Sequence, residues 1–217
     1  MVETQLGAAS CCFCEEINLG EMPGAFIAKM GQNDRVVLRD GHFVAIPSVS
    51  PLCEGHTLIV PRAHLTSLAQ LNRHLRESLT RFIQRVIARV RDRYGAYFLF
   101  EHGVGAGRTG GCGVAHAHLH VLPLSRVHAE QVYERVRSDY PCQSSGPFTN
   151  VLASTSSRAT YLLCGDSLTK VQRIVQDEVP SQYLRKLLAE ILGKYEWDWN
   201  RLEGWNEMVA TYAALRG

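Results

Sequence analysis

No stretch of this chain stays apolar for the roughly 18–20 residues that a helix needs to cross a bilayer, so neither a spanning helix nor a membrane partner is expected. No block of like charge stands out either. Lys and Arg total 23 against 21 Asp and Glu, and the net charge of +2 is too small to argue for a nucleic-acid partner. A local basic pocket for a small phosphorylated molecule stays compatible with that balance. Met1 to Ser10 lacks the basic start and apolar core of a secretory signal, which reads as a cytoplasmic protein. Internal repeats and low-complexity tails are missing too. That leaves one large domain, or one domain with an extension, for the 217 residues.

An even set of cysteines is also lacking. There are seven, and Cys11, Cys12 and Cys14 crowd together. In a reducing compartment such a cluster suggests a metal more than a disulfide framework. Cys53, Cys142 and Cys164 read instead as small buried apolar residues.

Short strands are expected at Arg35–Leu38 and His42–Pro47, joined by the Asp40-Gly41 turn. A loop over Val49–Gly55 and a buried strand at Thr57–Pro61 follow. Leu68, Leu71, Leu75, Leu79, Phe82, Ile83, Val86, Ile87 and Val90 recur at helical spacing. They predict a long helix with Thr66 or Ser67 as cap and Gly95 just past its end. The helix's many arginines lie mostly off that stripe and read as a solvated face. Further strands are expected at Ala96–Glu101 and Val114–Pro123, separated by the Gly-rich loop Gly103–Gly113. Beyond Pro123 the pattern gives a helix near Ala129–Ser138, a Ser/Pro/Thr-rich loop, strands at Thr160–Cys164 and Val171–Val175, and helices near Ser181–Gly193 and Gly204–Ala214. The expected class is α+β, with a mainly antiparallel sheet and one long helix.

His116-Ala117-His118-Leu119-His120 is the most informative stretch. On a strand, alternate side chains share a face, so the three imidazoles point one way and Ala117, Leu119 and Val121 point into the core. Each ring carries two polar nitrogens that need partners, which makes three of them costly as mere packing. Metal ligation and nucleophilic attack both suit such a group. His56 and His64 add two more histidines at the ends of the Thr57–Pro61 segment.

Cys11-x-x-Cys14, the run from Gly55 through His64, and Gly113 through Pro123 together resemble the histidine-triad (HIT) superfamily, in order and spacing, over roughly residues 11–125. Residues 116–122 match the family's His-φ-His-φ-His-φ-φ signature at every position. The resemblance implies a HIT-like catalytic domain over residues 1–125 and an extension, with helices and strands of its own, over residues 126–217 packed on the same domain. It implies that His118 attacks the α-phosphorus of a nucleotide or nucleotide conjugate and forms a nucleotidyl-imidazole intermediate, with a backbone carbonyl holding the other ring nitrogen. His120 would hydrogen-bond the phosphate and His56 would lie beside the site. A homodimer is implied as well.

In zinc-containing branches, the two cysteines, the histidine of Pro-Arg-x-His and the first histidine of the triad complete a tetrahedral site. Here these are Cys11, Cys14, His64 and His116, a set that saturates the ion and makes it structural. The Gly-rich loop fits a phosphate cradle, with Gly103 and Gly113 at its ends and Arg108 and Thr109 as polar contacts.

Three positions depart from the family pattern. Ser48 stands where an acidic residue usually holds the ribose. Gly113 stands where some members carry a hydrogen-bonding residue that assists the leaving group. Glu101-His102-Gly103 falls where an Asn-containing segment often contacts phosphate, so Glu101 is expected either at another part of the substrate or holding His102. Trp197 and Trp199 read as core or interface residues rather than base-stacking ones. The leading activity is a hydrolase that releases a nucleoside monophosphate from a phosphoanhydride or phosphoramidate. A nucleotidyltransferase or phosphorylase shares the same intermediate. The three departures favour a nucleotide-binding regulatory protein without turnover. A metal-dependent hydrolase would need an open coordination position and a carboxylate ligand.

Overall fold

A computed structural model describes residues 11–19, 34–105, 113–202 and 204–217. A short helical turn, α1 (Cys12–Cys14), runs on through Glu15–Leu19. Strands β1 (Leu38–Arg39), β2 (Phe43–Pro47) and β3 (Thr57–Pro61) follow, then the long helix α2 (Arg73–Tyr94) and strands β4 (Phe98–Gly103) and β5 (Leu119–Leu122). The rest comprises α3 (Arg126–Asp139), β6 (Ser144–Gly146), α4 (Phe148–Ala153), β7 (Tyr161–Gly165), β8 (Val171–Val175), α5 (Tyr183–Ile191) and α6 (Trp205–Leu215). The class is α+β, around an eight-stranded sheet of order β1-β2-β3-β5-β4-β7-β8-β6. Every neighbouring pair in it is antiparallel.

Helices cover both faces, which is why the central strands read as continuous apolar runs rather than alternating ones. On one face the stripe of α2 (Leu79, Phe82, Ile83, Val86, Ile87, Val90) packs with α4 and α6 against Ile59, Leu99, Leu119, Val121 and Leu163. Full burial of each such side chain contributes roughly 1.5–3 kcal/mol. On the other face α3 and α5 pack against Phe98, Phe100, Leu122 and Leu162. A separate small cluster of Phe13, Val44, Ile46, Leu58 and Val60 covers the strands nearer β1. The functional site sits on this second face, where His120 lies between Leu58 of β3 and Phe100 of β4 in the strand register.

Several boundaries differ from expectation. The cap of α2 is Asn72, whose side chain accepts from Leu75 N–H, because Leu68–Gln70 forms a separate 3-10 turn before the helix. The Ser/Pro/Thr-rich loop contains β6 and α4, held by the burial of Phe148, Val151 and Leu152. Of the three cysteines expected to be buried, Cys164 is buried, Cys53 half-buried and Cys142 exposed. Beyond residue 125, β7 continues the sheet from β4, with Leu99 opposite Gly165 and Gly103 opposite Tyr161. Among the described residues no helix is long and apolar enough to cross a membrane.

Candidate active site

The predicted strand from Val114 shortens to Leu119–Leu122, so His120 is on β5 while His116 and His118 lie in the extended segment leading into it. That segment is held by Pro61 and Leu65 instead of a strand ladder: His116 Nε2 bonds the Pro61 carbonyl at 2.8 Å, and Ala117 N–H donates to the Leu65 carbonyl. The alternation survives. Ala117, Leu119 and Val121 enter the α2 core, and the imidazoles of His118 and His120 face the other way, their ring centroids 4.8 Å apart.

Backbone partners fix which nitrogen of each ring carries hydrogen. A carbonyl can only accept, so His118, whose Nδ1 lies 2.7 Å from the His116 carbonyl, carries its hydrogen on Nδ1 and keeps a lone pair on Nε2. A backbone N–H can only donate, so Leu52 N–H makes His56 Nδ1 an acceptor at 3.1 Å. The hydrogen of His56 is then on Nε2, which donates to His120 Nδ1 at 2.9 Å. His120 in turn carries its hydrogen on Nε2, a buried donor with no partner among the described residues. Burial pushes His118 down to about 4, against the His116 carbonyl bond that raises it. His56 and His120 are lowered further, again chiefly by burial, with smaller contributions from nearby charges including Arg185. All three rings are thus neutral near pH 7. His120 stacks on Phe100 at 4.1 Å with the planes 4° apart, which fixes its orientation.

Beside this group lie Cys11, Cys14, His64 and His116, with their donor atoms all within 4.8 Å of one another. Cys11 Sγ and Cys14 Sγ are 3.3 and 3.6 Å from His116 Nδ1, and Cys14 Sγ is 3.3 Å from His64 Nδ1. Sulfur and nitrogen donors around one tetrahedral zinc stand roughly 3.3–3.8 Å apart, so the set fits that ion. The Pro61 carbonyl ties up His116 Nε2 and turns the Nδ1 lone pair toward the sulfurs, as an outer partner of a ligand histidine does. Burial and the neighbouring Cys11 push the Cys14 thiol up to about 11, so Cys14 becomes a thiolate near pH 7 only with a cation among the donors.

A cavity of about 250 Å³ opens over His118 and His120. Phe13, Val49, Leu58 and Val114 give it apolar walls, and the buried Ser48 also lines it, with Oγ accepting from Ser50 N–H. Four polar or aromatic residues there were not picked out from the sequence as site residues. Arg35 and Glu16 form a two-pronged ion pair at 2.6 and 2.7 Å. Arg185 reaches in from α5, donating to the carbonyls of Ser50 and Trp197 and to Ser50 Oγ. Trp199 closes one wall. The sequence hints at the burial of Arg185, which stands beside Leu184 in an apolar helical stretch, but not at its partners; only 2% of it is exposed.

Other predicted residues fall elsewhere. Glu101 points into the opposite face of the sheet, where its carboxylate accepts from Leu68 N–H and the Tyr161 hydroxyl. It neither faces the cavity nor holds His102. Gly103 also faces Tyr161: a Cβ there would come within 2.4 Å of that ring, so close packing requires glycine here. Gly113 adopts φ +86°, and a Cβ on it would lie 2.4 Å from Trp199 Nε1. Arg108 and Thr109 lie outside the described residues. His102 is buried on the same face of β4 as Phe100; neither ring nitrogen has a partner among the described residues, and burial lowers it to about 4. A larger cavity of about 470 Å³, between Arg91, Arg126 and Lys170, contains none of these histidines.

A family profile described as the HIT domain matches residues 29–127. The protein named Protein hit from Bacillus subtilis is 27% identical over 119 residues, 54% of this chain and 72% of that one. An uncharacterised HIT-like protein of Methanocaldococcus jannaschii is 30% identical over 117 residues, 52% of this chain and 78% of that one. Among solved structures, a zinc-bound histidine triad family protein from Mycobacterium smegmatis is similar at 26% identity and TM-score 0.42, covering 55% of this chain and 78% of that one. A hypothetical histidine triad nucleotide-binding protein from Sulfolobus tokodaii is similar at 20% identity and TM-score 0.41, covering 86% and 99%. With a 30% identical relative matched over 78% of its length and the domain profile spanning the histidine segment, this chain belongs to the histidine-triad (HIT) family.

Proposed function

We propose that the protein hydrolyses a nucleoside phosphoanhydride or phosphoramidate at the α-phosphorus, through a nucleotidyl intermediate on His118. One observation carries this reading: at one cavity, an imidazole lone pair on His118 Nε2 stands beside an unpartnered donor on His120 Nε2. The lone pair forms an N–P bond while the bond from phosphorus to the leaving oxygen or nitrogen breaks, and the leaving group takes that electron pair and a proton from solvent. The imidazole becomes cationic, and the His116 carbonyl stabilises its Nδ1–H. His120 Nε2–H donates to a phosphoryl oxygen as charge builds there. Water then attacks phosphorus, the N–P bond breaks, and a nucleoside monophosphate leaves with His118 restored.

Cys11, Cys14, His64 and His116 would hold a zinc ion whose chemistry is structural, since four protein donors leave no open position. The same four donors weigh against a metal-bound nucleophile at this centre. Ser48 is the polar contact for the sugar side of the cavity. Residues 126–217 are best read as an extension of the same domain, since their strands continue its sheet.

The test is incubation with a panel of dinucleoside polyphosphates and amine-linked nucleotides, following intact mass and monophosphate release. A nucleotide-sized adduct on the wild type and none on His118→Ala is the expected result. Turnover that survives His118→Ala would sink the proposal. Transfer to phosphate in preference to water would make the enzyme a phosphorylase.

A further inference from the structure

The segment after α5 is clamped in place. Arg185 Nε donates to the Trp197 carbonyl, and Gln182 Nε2 donates to Asp198 Oδ1. Gln182 Oε1 accepts from Trp199 N–H at 3.1 Å, and Gln182 itself sits at φ 59°, a left-handed conformation that a residue with a side chain adopts only when its surroundings impose it. This clamp delivers the indole of Trp199 to the cavity that His118 and His120 line. Trp199 Nε1 is buried and has no partner among the described residues. A buried donor left without a partner costs stability, so the clamp holds the indole against a local penalty. Residue 113 leaves room for it: any side chain there would collide with Nε1.

An indole N–H can only donate, and so can the orphan His120 Nε2–H on the same cavity. Arg185 adds a positive charge to that wall. Two buried donors and a guanidinium select an oxygen-rich anion.

We propose that the C-terminal segment supplies part of the substrate site, with Trp199 Nε1–H donating to an oxygen on the substrate phosphorus. Arg185 anchors the segment through Trp197 and provides the field that favours the anion. This rests on the nucleotide reading above and extends it to a residue outside the matched domain.

The test measures the affinity of the full-length protein for the four ribonucleoside 5′-monophosphates and for their parent nucleosides, by calorimetry. The ratio of the two affinities reports the phosphate alone. In Trp199→Phe, which keeps an aromatic wall and deletes the donor, that ratio falls about tenfold while nucleoside affinity holds, as loss of one hydrogen bond to a charged group predicts. Gly113→Ala, which drives a methyl toward Nε1, lowers the same ratio and guards against a misfolded Trp199 variant. An unchanged ratio in both variants overturns the proposal, and so does equal weakening of nucleotide and nucleoside, which would make the indole a wall only. Wild-type protein that prefers no monophosphate over its nucleoside overturns the nucleotide reading itself, a separate failure.

Discussion

His116 and His118 are two residues apart on one segment, carry the same side chain and differ in which nitrogen the backbone claims. The Pro61 carbonyl takes His116 at Nε2, so its Nδ1 lone pair faces two sulfurs. The His116 carbonyl takes His118 at Nδ1, so its Nε2 lone pair is left for chemistry at the cavity. One histidine turns its free nitrogen toward two sulfurs, and the other keeps its free nitrogen at the cavity. The difference teaches that residue type proposes a role and that a single backbone carbonyl assigns it.

The strongest way to break the comparison is to delete each ring's function separately. His118→Ala is expected to lower monophosphate release by at least ~10³-fold, because it removes the Nε2 lone pair that attacks phosphorus in the proposed reaction. Its melting temperature should stay near that of the wild type, since among the described residues the ring's hydrogen bond is to its own segment. Steady-state release and a thermal melt on the same sample check both halves. Retained turnover would show that the lone pair on His118 is not the attacking group.

Cys14→Ser should do the reverse. Cys14 lies within reach of both His64 and His116, so its loss opens the donor set at its centre. Structural zinc contributes its binding energy to the fold. We expect a loss of about 3 kcal/mol, which for a domain of this size lowers the melting temperature by ~6–12 °C. Metal analysis should find less than one equivalent of zinc, and a strong chelator should bring the wild type to the same melting temperature. Unchanged stability would remove the structural role.

The other face of the sheet supplies a control, because Glu101 is buried there away from the cavity. Burial pushes Glu101 up to about 7 from an ordinary 4.5, against the bonds from Tyr161 and Leu68 that favour the charged form. A folded-state value raised in this way favours the fold fully at low pH, and that stabilisation is lost as pH climbs through about 7. The window lies between pH 4.5 and about pH 7, and the shift is worth ~3 kcal/mol at most. Glu101→Gln should flatten the pH dependence of urea unfolding in that window and leave monophosphate release unchanged. A large loss of turnover would put Glu101 back among the substrate contacts.

Much of this was legible in the chain itself. The stripe from Leu79 to Val90 gave the long helix its buried face, and the resemblance to zinc-containing histidine-triad proteins foresaw the convergence of Cys11, Cys14, His64 and His116. What failed had physical reasons. The strand at Val114 was overextended because His116 and Ala117 bond to Pro61 and Leu65, partners that periodicity does not encode. Glu101 and Gly103 looked like substrate or phosphate contacts by position, yet strand alternation turns both toward Tyr161, away from the imidazoles. Arg185 escaped because its partner Ser50 is 135 residues away, a contact no local pattern carries.

The finest distinction concerns His56, which touches no substrate group and acts through His120. Leu52 N–H, His56 and His120 form a one-way relay of donors, and its last member is the hydrogen on His120 Nε2. His56→Phe keeps a flat ring but removes the Nε2–H that occupies His120 Nδ1. His120 can then carry its hydrogen on either nitrogen, and the fraction with Nε2 protonated falls. We expect turnover to drop about tenfold, equivalent to ~1.4 kcal/mol, with substrate affinity little changed. Leu52 N–H also loses its acceptor, at about 1 kcal/mol of stability. Heteronuclear NMR of the imidazole nitrogens reads the tautomer of His120 directly. If His120 keeps its hydrogen on Nε2 in the variant and turnover still falls, His56 matters for packing and the relay is not what positions the donor.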